Sequence, residues 1–381
     1  MAENPLLKLE AFGQSVWIDF LRRGTISNGE LKRLIDEDGL SGVTSNPAIF
    51  EKAIVGSSDY DEDIRMLAMD KKSIQAIYET LVVEDIQRAA DLFRPIYDRT
   101  EGADGFVSLE VSPHLAHDTK GTIAEARKLW SAVSRPNLMI KVPGTKAGVP
   151  AIRQLISEGI NVNVTLLFGL ERYREAAMAF IEGLEERGRG EPVNRVASVA
   201  SFFLSRIDVL LDPVLEKKAE EGGPDAVTAK SLEGQVAIAS AKVAYQIYQE
   251  IFTSERWRRL EAMGAKPQRL LWASTSTKNP SYSDVKYVEP LIGPNTVNTM
   301  PPETINAYRD HGKPEPDTIE QGLDEARKMI SMLQGVGIDL NAVTQQLEDD
   351  GVKAFADSYH QLLESIEKKK RVFTGSKRVA G

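Results

Sequence analysis

The sequence predicts an α/β fold, a (β/α)8 barrel with additional helices, organised as one domain over residues 1–381. Three observations predict it. Eight short apolar segments alternate with long stretches of helical periodicity, the pattern of parallel strands joined by crossover helices. Polar and charged residues gather at the C-terminal ends of those segments, where such a barrel carries its functional groups. No Gly-x-Gly-x-x-Gly follows the first segment, which weakens the alternative, a doubly wound open sheet that binds a dinucleotide. No internal repeat or low-complexity linker divides the chain, and barrels with insertions often reach this length.

The first strand is expected at Ser15–Asp19. A helix follows over Asn28–Glu37, with Ser27 and Glu30 in capping-box spacing and Gly39 past its end. The second strand is Leu40–Thr44, and a long helical region comes next, with Ile74, Ile77, Tyr78 and Leu81 on one face. Gly105–Val111, Leu138–Val142, Ile160–Leu166 and Arg195–Ala200 are strands three to six. The helix after strand five starts near Leu170 and stops at Gly188-Arg189-Gly190. Two helices are expected between strands six and seven, split by Gly222-Gly223-Pro224. Arg269–Ala273 and Thr296–Thr299 close the set, and Asp317–Lys370 is helical with an interruption around Gly335–Asp339. Lys368-Lys369-Lys370-Arg371 is expected to be a solvated helix end.

The formal charge is −9, from 47 basic and 56 acidic residues. That balance argues against a broad nucleic-acid footprint but leaves room for a small phosphorylated ligand, which needs only a few local cations. The chain has no cysteine, so disulfides, thiolate metal sites and catalytic thiols are excluded. Its start, Met1-Ala2-Glu3-Asn4-Pro5-Leu6, lacks the basic region and apolar core of a secretory signal. No apolar run approaches the ~18 residues of a membrane helix. The expected setting is therefore the cytoplasm, with no membrane partner. The sequence leaves open whether the chain forms a homodimer. His114 and His117, beside Asp118, lack a third ligand at plausible spacing, so no metal is expected.

Lys141 is the most informative residue. It ends the apolar run Leu138-Met139-Ile140-Lys141-Val142, where a strand of a parallel sheet is buried on both faces. A lysine cannot bring a free charge into that setting cheaply: either the ammonium finds a partner or the amine is held neutral. A desolvated lysine amine is a nucleophile toward carbonyl carbon, the route to a Schiff base. The plain alternative is a lysine whose head reaches solvent. Its surroundings favour the first reading. Asp19 ends strand one, Thr44-Ser45-Asn46-Pro47 ends strand two, and Glu110 lies in strand three. Asn163 and Thr165, two apart in strand five, face the same side. Ser201 and Arg206 follow strand six, and Ser274, Ser276 and Lys278 follow strand seven.

Four segments, Gly42-Val43-Thr44-Ser45-Asn46-Pro47, Ile140-Lys141-Val142-Pro143-Gly144-Thr145, Asn163-Val164-Thr165-Leu166-Leu167-Phe168 and Ser198 to Asp208, occur in order over most of the chain. In these the sequence resembles the transaldolase family, in its longer bacterial form. The resemblance implies a cofactor-independent transfer of a dihydroxyacetone unit from sedoheptulose 7-phosphate or fructose 6-phosphate to an aldose phosphate. Lys141 matches the family's Schiff-base lysine, and Asp19 the acid that takes the hydroxyl proton of the departing aldehyde. Glu110 and Thr165 match the pair that positions a water for proton shuttling. Asn46 and Asn163 match residues that hold the dihydroxyacetone hydroxyls, supported by Thr44 and Ser201. Arg206 matches a phosphate-binding arginine. The family's second phosphate arginine is not matched: Ser276 stands at its position, and Lys278 with Ser274 is expected to take over.

Each of these residues also has a purely structural reading. Asp19 could cap a helix or pair with Arg22 or Arg23, and Glu110 could simply pair with Lys141. Asn46-Pro47 is a common helix start, Ser201 could be a cap, and Arg206 could pair with Asp208 on a surface. Within catalysis the rival is a fructose 6-phosphate aldolase that releases free dihydroxyacetone. From another class the rival is a sugar-phosphate-binding barrel without chemistry, which would be expected to lack one of Asp19, Glu110 and Lys141.

Overall fold

The structure, a computed structural model, describes residues 4–375. The first three residues, read above for a secretory signal, and the tail past residue 375 lie outside them. Eight strands form a closed barrel in chain order: β1 (Gln14–Ile18), β2 (Leu40–Val43), β3 (Phe106–Glu110), β4 (Leu138–Pro143), β5 (Val162–Leu167), β6 (Ser198–Phe203), β7 (Arg269–Ala273) and β8 (Thr296–Met300). Every pairing is parallel, including the closure of β8 onto β1. The expected (β/α)8 fold is the observed one. β-Branched and aliphatic residues such as Ile140, Val142, Val162 and Val164 are wholly buried, which accounts for strands that read as continuous apolar runs rather than alternating ones.

Register decides which side chains become neighbours. Glu110 pairs with Lys141, Lys141 with Asn163, and Pro143 with Thr165. Three polar side chains on three strands, Glu110, Lys141 and Asn163, therefore sit in one row. At the opposite end Trp17 donates to Asp104 at 2.8 Å, and Arg269 binds the Thr296 carbonyl at 2.7 Å. Gly42 lets that plug form: a Cβ there would lie 2.4 Å from the Trp17 ring.

Several local expectations are corrected. Strand six begins three residues later than the Arg195 start read from the sequence, so Ser201 lies inside β6 and not after it. The capping box at Ser27 and Glu30 does not form. Ser27 ends a short helix, Arg23–Ser27, and its hydroxyl donates back to the Arg23 carbonyl at 2.9 Å. The next helix, Glu30–Asp38, starts at Gly29 in the left-handed region (φ +84°) and stops, as expected, at Gly39. Four helices, not two, separate β6 from β7: Ser205–Glu221, Ala226–Leu232, Val236–Phe252 and Glu255–Glu261. The extra breaks fall at Glu233–Gln235 and Thr253–Ser254. At the second, the Ser254 side chain accepts from Trp257 N–H and caps a new helix.

The last helix, Leu340–Gly375, packs against the helices Pro47–Val55, Asp61–Met69 and Ile74–Arg99 and reaches β5 at the barrel rim. It brings residues more than 140 positions from Arg206 onto the C-terminal mouth. Among the described residues no helix is long and apolar enough to cross a membrane.

Candidate active site

A cavity of about 610 Å³ opens at the C-terminal end of the barrel. It is lined by Asp19, Thr44, Asn46, Lys141, Thr165, Ser201, Arg206, Ser274 and Lys278, side chains contributed by the ends of six strands and the turns that follow them. Nine of the eleven residues singled out from the sequence thus share one cavity. Glu110 and Asn163 lie behind its wall.

Lys141 is buried, 4% exposed at its side chain. Its ammonium donates to the Ser45 carbonyl at 3.0 Å and stands 3.5 Å from Glu110 Oε2. At that separation the carboxylate is an ion-pair partner rather than a normal hydrogen-bond acceptor. The surface-reaching alternative for Lys141 is excluded, and the expected partner is present. Neither Glu110 oxygen has a hydrogen-bond partner among the described residues, and the Thr165 hydroxyl is equally without one. Burial drives the Glu110 carboxyl up to about 7, with Asp19 adding to the rise and Lys141 and Arg206 opposing it. A carboxyl poised there can take or give a proton near neutral pH.

Asp19 follows β1 directly. It caps no helix and forms no ion pair with Arg22 or Arg23, which bind Asp59 and the Asp63, Glu84 and Asp85 group. Its Oδ1 accepts from the Thr44 hydroxyl at 2.6 Å, and Thr44 in turn shares a hydrogen bond of 2.8 Å with Thr299. Burial raises the Asp19 pKa, while Lys141, the Thr44 bond and Arg206 hold it down. Thr44, expected to support Asn46 and Asn163, is instead hydrogen-bonded to Asp19 and Thr299 and so orients Asp19.

Asn46 starts a helix, the structural reading, and also lines the cavity. Its side chain caps the helix Pro47–Val55, accepting from Ile49 N–H at 3.0 Å, with proline at the first helical position. The cap uses its amide oxygen, so its NH2 is not spent on it. Asn163 is placed differently from the expectation that it contacts a ligand. It is wholly buried; its amide donates to Ser108 at 3.0 Å and accepts from Ser201 at 2.7 Å. Residues two apart on a strand face one side but occupy successive layers of a barrel. Thr165 reaches the cavity and Asn163 stands one layer below, holding Ser201. Ser201 is not a helix cap.

Two residues at the rim have positive φ: Leu166 (+58°), at an irregularity in the β5–β6 register, and Ser274 (+55°), just past β7. Such backbone conformations cost of order 1–3 kcal/mol and collect at functional sites. Here they turn the chain beside Thr165 and bring Ser274 to 2.8 Å from Ser205. Arg206 opens the helix Ser205–Glu221. It makes no hydrogen bond or ion pair among the described residues; Asp208 instead binds Lys286, Tyr287 and Ala237 N–H. Burial lowers the Arg206 pKa. Lys278 is exposed and donates to Ser276.

Sequence reasoning missed Lys52, Thr299, Glu303 and Phe355, which also line the cavity. Thr299 lies one residue before the end of β8 and closed the strand expected from the sequence, so it carried the same strand-end signal as Asp19. Phe355 had no local signal, because the fold of the last helix brings it there. His114 does not line the cavity; its ring packs on His360 (4.7 Å) and Tyr359 (5.7 Å). Among the described residues no group of three or more His, Cys, Asp or Glu is arranged to hold a metal ion.

A sequence model described as Transaldolase/Fructose-6-phosphate aldolase matches residues 16–366. The chain belongs to that family. Similar relatives are the transaldolase of Trichodesmium erythraeum, 50% identical over 379 residues, covering 98% of this chain and all of the relative. A protein named transaldolase 2 from Nostoc punctiforme is 49% identical over 380 residues, with 98% and 100% covered. The transaldolase of Thiobacillus denitrificans is 48% identical over 355 residues, with 93% and 97% covered. The family match runs from within β1 through β8, so the buried lysine and both acids lie within it.

Proposed function

We infer that this chain is a transaldolase that moves a dihydroxyacetone unit from a ketose phosphate, sedoheptulose 7-phosphate or fructose 6-phosphate, to an aldose phosphate. The observation that carries the reading is the buried Lys141, 3.5 Å from a Glu110 carboxyl poised near neutrality and facing a cavity that Asp19 also lines. In this reading Glu110 takes a proton from Lys141, and the free amine adds to the ketose carbonyl. Loss of water, with a proton returned to the leaving hydroxyl, gives a protonated imine. Asp19 then removes the hydroxyl proton from the carbon next to the bond that breaks. The bonding electrons pass into the imine, leaving an enamine on Lys141 and a free aldose phosphate. An incoming aldose phosphate is captured by the reverse steps, with Asp19 returning its proton. A water between Glu110 and Thr165 would give hydrogen bonds to three polar oxygens that make none among the described residues. Arg206, Lys278 and Ser274 would receive the phosphate, and Asn46 and Ser201 the dihydroxyacetone hydroxyls. Asn163 then acts through Ser201. The covalent lysine supplies the electron sink, so no cofactor is assigned. The acidic chain is assigned to the cytoplasm, with sugar phosphates and not nucleic acid or membrane as its partners.

The test is a transfer assay. With fructose 6-phosphate and erythrose 4-phosphate the chain is expected to form sedoheptulose 7-phosphate. Without an acceptor it is expected to release little free dihydroxyacetone. Rapid release of dihydroxyacetone with no transfer would replace this reading with the aldolase one.

A further inference from the structure

Arg206 is an unusual cation. Its guanidinium has five N–H donors, yet no carbonyl or carboxylate of the described residues accepts from them, and the group is half-buried. What holds it are two rings. The Phe203 centroid lies 5.4 Å from Cζ, and the Phe355 centroid 5.8 Å. Phe203 comes from the end of β6, just before Arg206 itself. Phe355 comes from the Leu340–Gly375 helix, from the far end of the chain.

That helix packs closely on the rim. Gly351 is one turn before Phe355, on the same face. A Cβ at Gly351 would meet Leu166 Cδ2 at 2.9 Å and Arg206 Nη1 at 3.6 Å. Leu166 is the residue with φ +58° that follows Thr165. The glycine thus lets the helix settle onto the β5 rim, and the phenylalanine then closes over the guanidinium. A ring pair orients a planar cation through its faces without using its donors. The donors remain free for a multi-oxygen anion inside a cavity that both Arg206 and Phe355 line.

We propose that Phe355, seated by Gly351, is a positioning residue that holds Arg206 for the phosphate group of the sugar, so that the C-terminal helix sets the preference for phosphorylated over unphosphorylated aldehydes. This rests on the transaldolase reading for the identity of the sugar. Binding of an oxyanion at Arg206 is the part that stands on the ring geometry alone. Apolar bulk at 355 is not sufficient: leucine would fill the space but present no π face. Tyrosine would keep the face.

The test compares wild type, Phe355→Leu, Phe355→Tyr and Gly351→Ala, each checked for an intact fold by thermal unfolding. Acceptor kinetics are measured with erythrose 4-phosphate and with unphosphorylated D-erythrose at saturating fructose 6-phosphate. Binding of inorganic phosphate to the resting protein is measured by calorimetry. Phe355→Leu is expected to lower the ratio of kcat/KM for the phosphorylated over the unphosphorylated acceptor roughly tenfold, through KM. Phosphate affinity should fall in step, a size within reach of a partly desolvated cation–π contact. Phe355→Tyr should retain most of both, and Gly351→Ala should shift both in the same direction as Phe355→Leu. In an Arg206→Ala background, Phe355→Leu should have no further effect on the ratio. Equal losses with both acceptors, a loss in kcat alone, or the same effect with and without Arg206 would overturn the proposal. Phosphate binding that weakens as stated in a protein showing no transfer at all would instead count against the function and leave the ring clamp standing.

Discussion

Replacing Glu110 by glutamine keeps the side-chain volume and removes the charge and the proton-accepting oxygen. In the structure Glu110 is the carboxylate in ion contact with Lys141, and both are almost fully buried. Asp19 also acts electrostatically on the lysine side of the cavity but is tied to Thr44. The ammonium would keep the Ser45 carbonyl at 3.0 Å, which can hold a proton in place but cannot accept it. General acid–base catalysis by one positioned group contributes about 10²–10⁴ in rate, or roughly 3–5 kcal/mol of barrier. The expected result is a fall of that size in the rate of imine formation, read by rapid mixing with fructose 6-phosphate and quenching with borohydride. The pH profile supplies the sign. Because burial raises the Glu110 pKa to about 7, the carboxyl is protonated below that pH and cannot relieve Lys141 of its proton. Imine formation in the wild type should therefore fall about tenfold per pH unit below about 7 and level off above it. The glutamine variant should lose that break. A glutamine variant that forms imine at the wild-type rate, or that keeps the break near pH 7, would refute the role given to Glu110.

Other perturbations probe the rest of the account. Lys278→Ala removes an exposed point charge worth ~1 kcal/mol, so KM for the phosphorylated aldehyde should rise roughly fivefold with kcat little changed; an unchanged KM removes Lys278 from the phosphate site. Thr44→Val deletes the 2.6 Å bond to Asp19, whose pKa should then rise further, because that bond favours the charged form. The acidic limb of carbon–carbon cleavage, followed with the enamine already formed, should move to higher pH; an unmoved limb contradicts Thr44 as the residue that orients Asp19. Gly42→Ala would drive a methyl to 2.4 Å from the Trp17 ring, and overpacking of that kind costs about 1–3 kcal/mol, read as a lowered midpoint in urea.

Much of the architecture was legible because a parallel barrel repeats one physical pattern. Strands buried on both faces read as apolar runs, and each of the eight expected runs overlaps an observed strand. Errors arose where local chemistry had two outcomes. Ser27 and Glu30 had the spacing of a capping box, yet Gly29 at φ +84° starts the helix and Ser27 bonds backwards. The Arg195 region looked like a strand because it is apolar and β-branched, but pairing with β7 begins only at Val199. For the site, residues at strand ends were readable because strand periodicity places them. Asn163 faced the expected side but one layer too deep, since alternation gives the face and not the height along a tilted strand. Phe355 and Lys52 could not be read at all. One arrives on the last helix and the other on the exposed side of the helix Pro47–Val55, and neither position has a signal in its neighbours along the chain.

The central claim is that the Lys141 amine becomes covalently bonded to the sugar. Borohydride added to the chain with fructose 6-phosphate should reduce that linkage to a stable secondary amine. Peptide mapping by mass spectrometry should then place one dihydroxyacetone-derived adduct on Lys141, and none should form in a folded Lys141→Met variant. An adduct on another lysine, or full transfer activity in the methionine variant, would contradict the account.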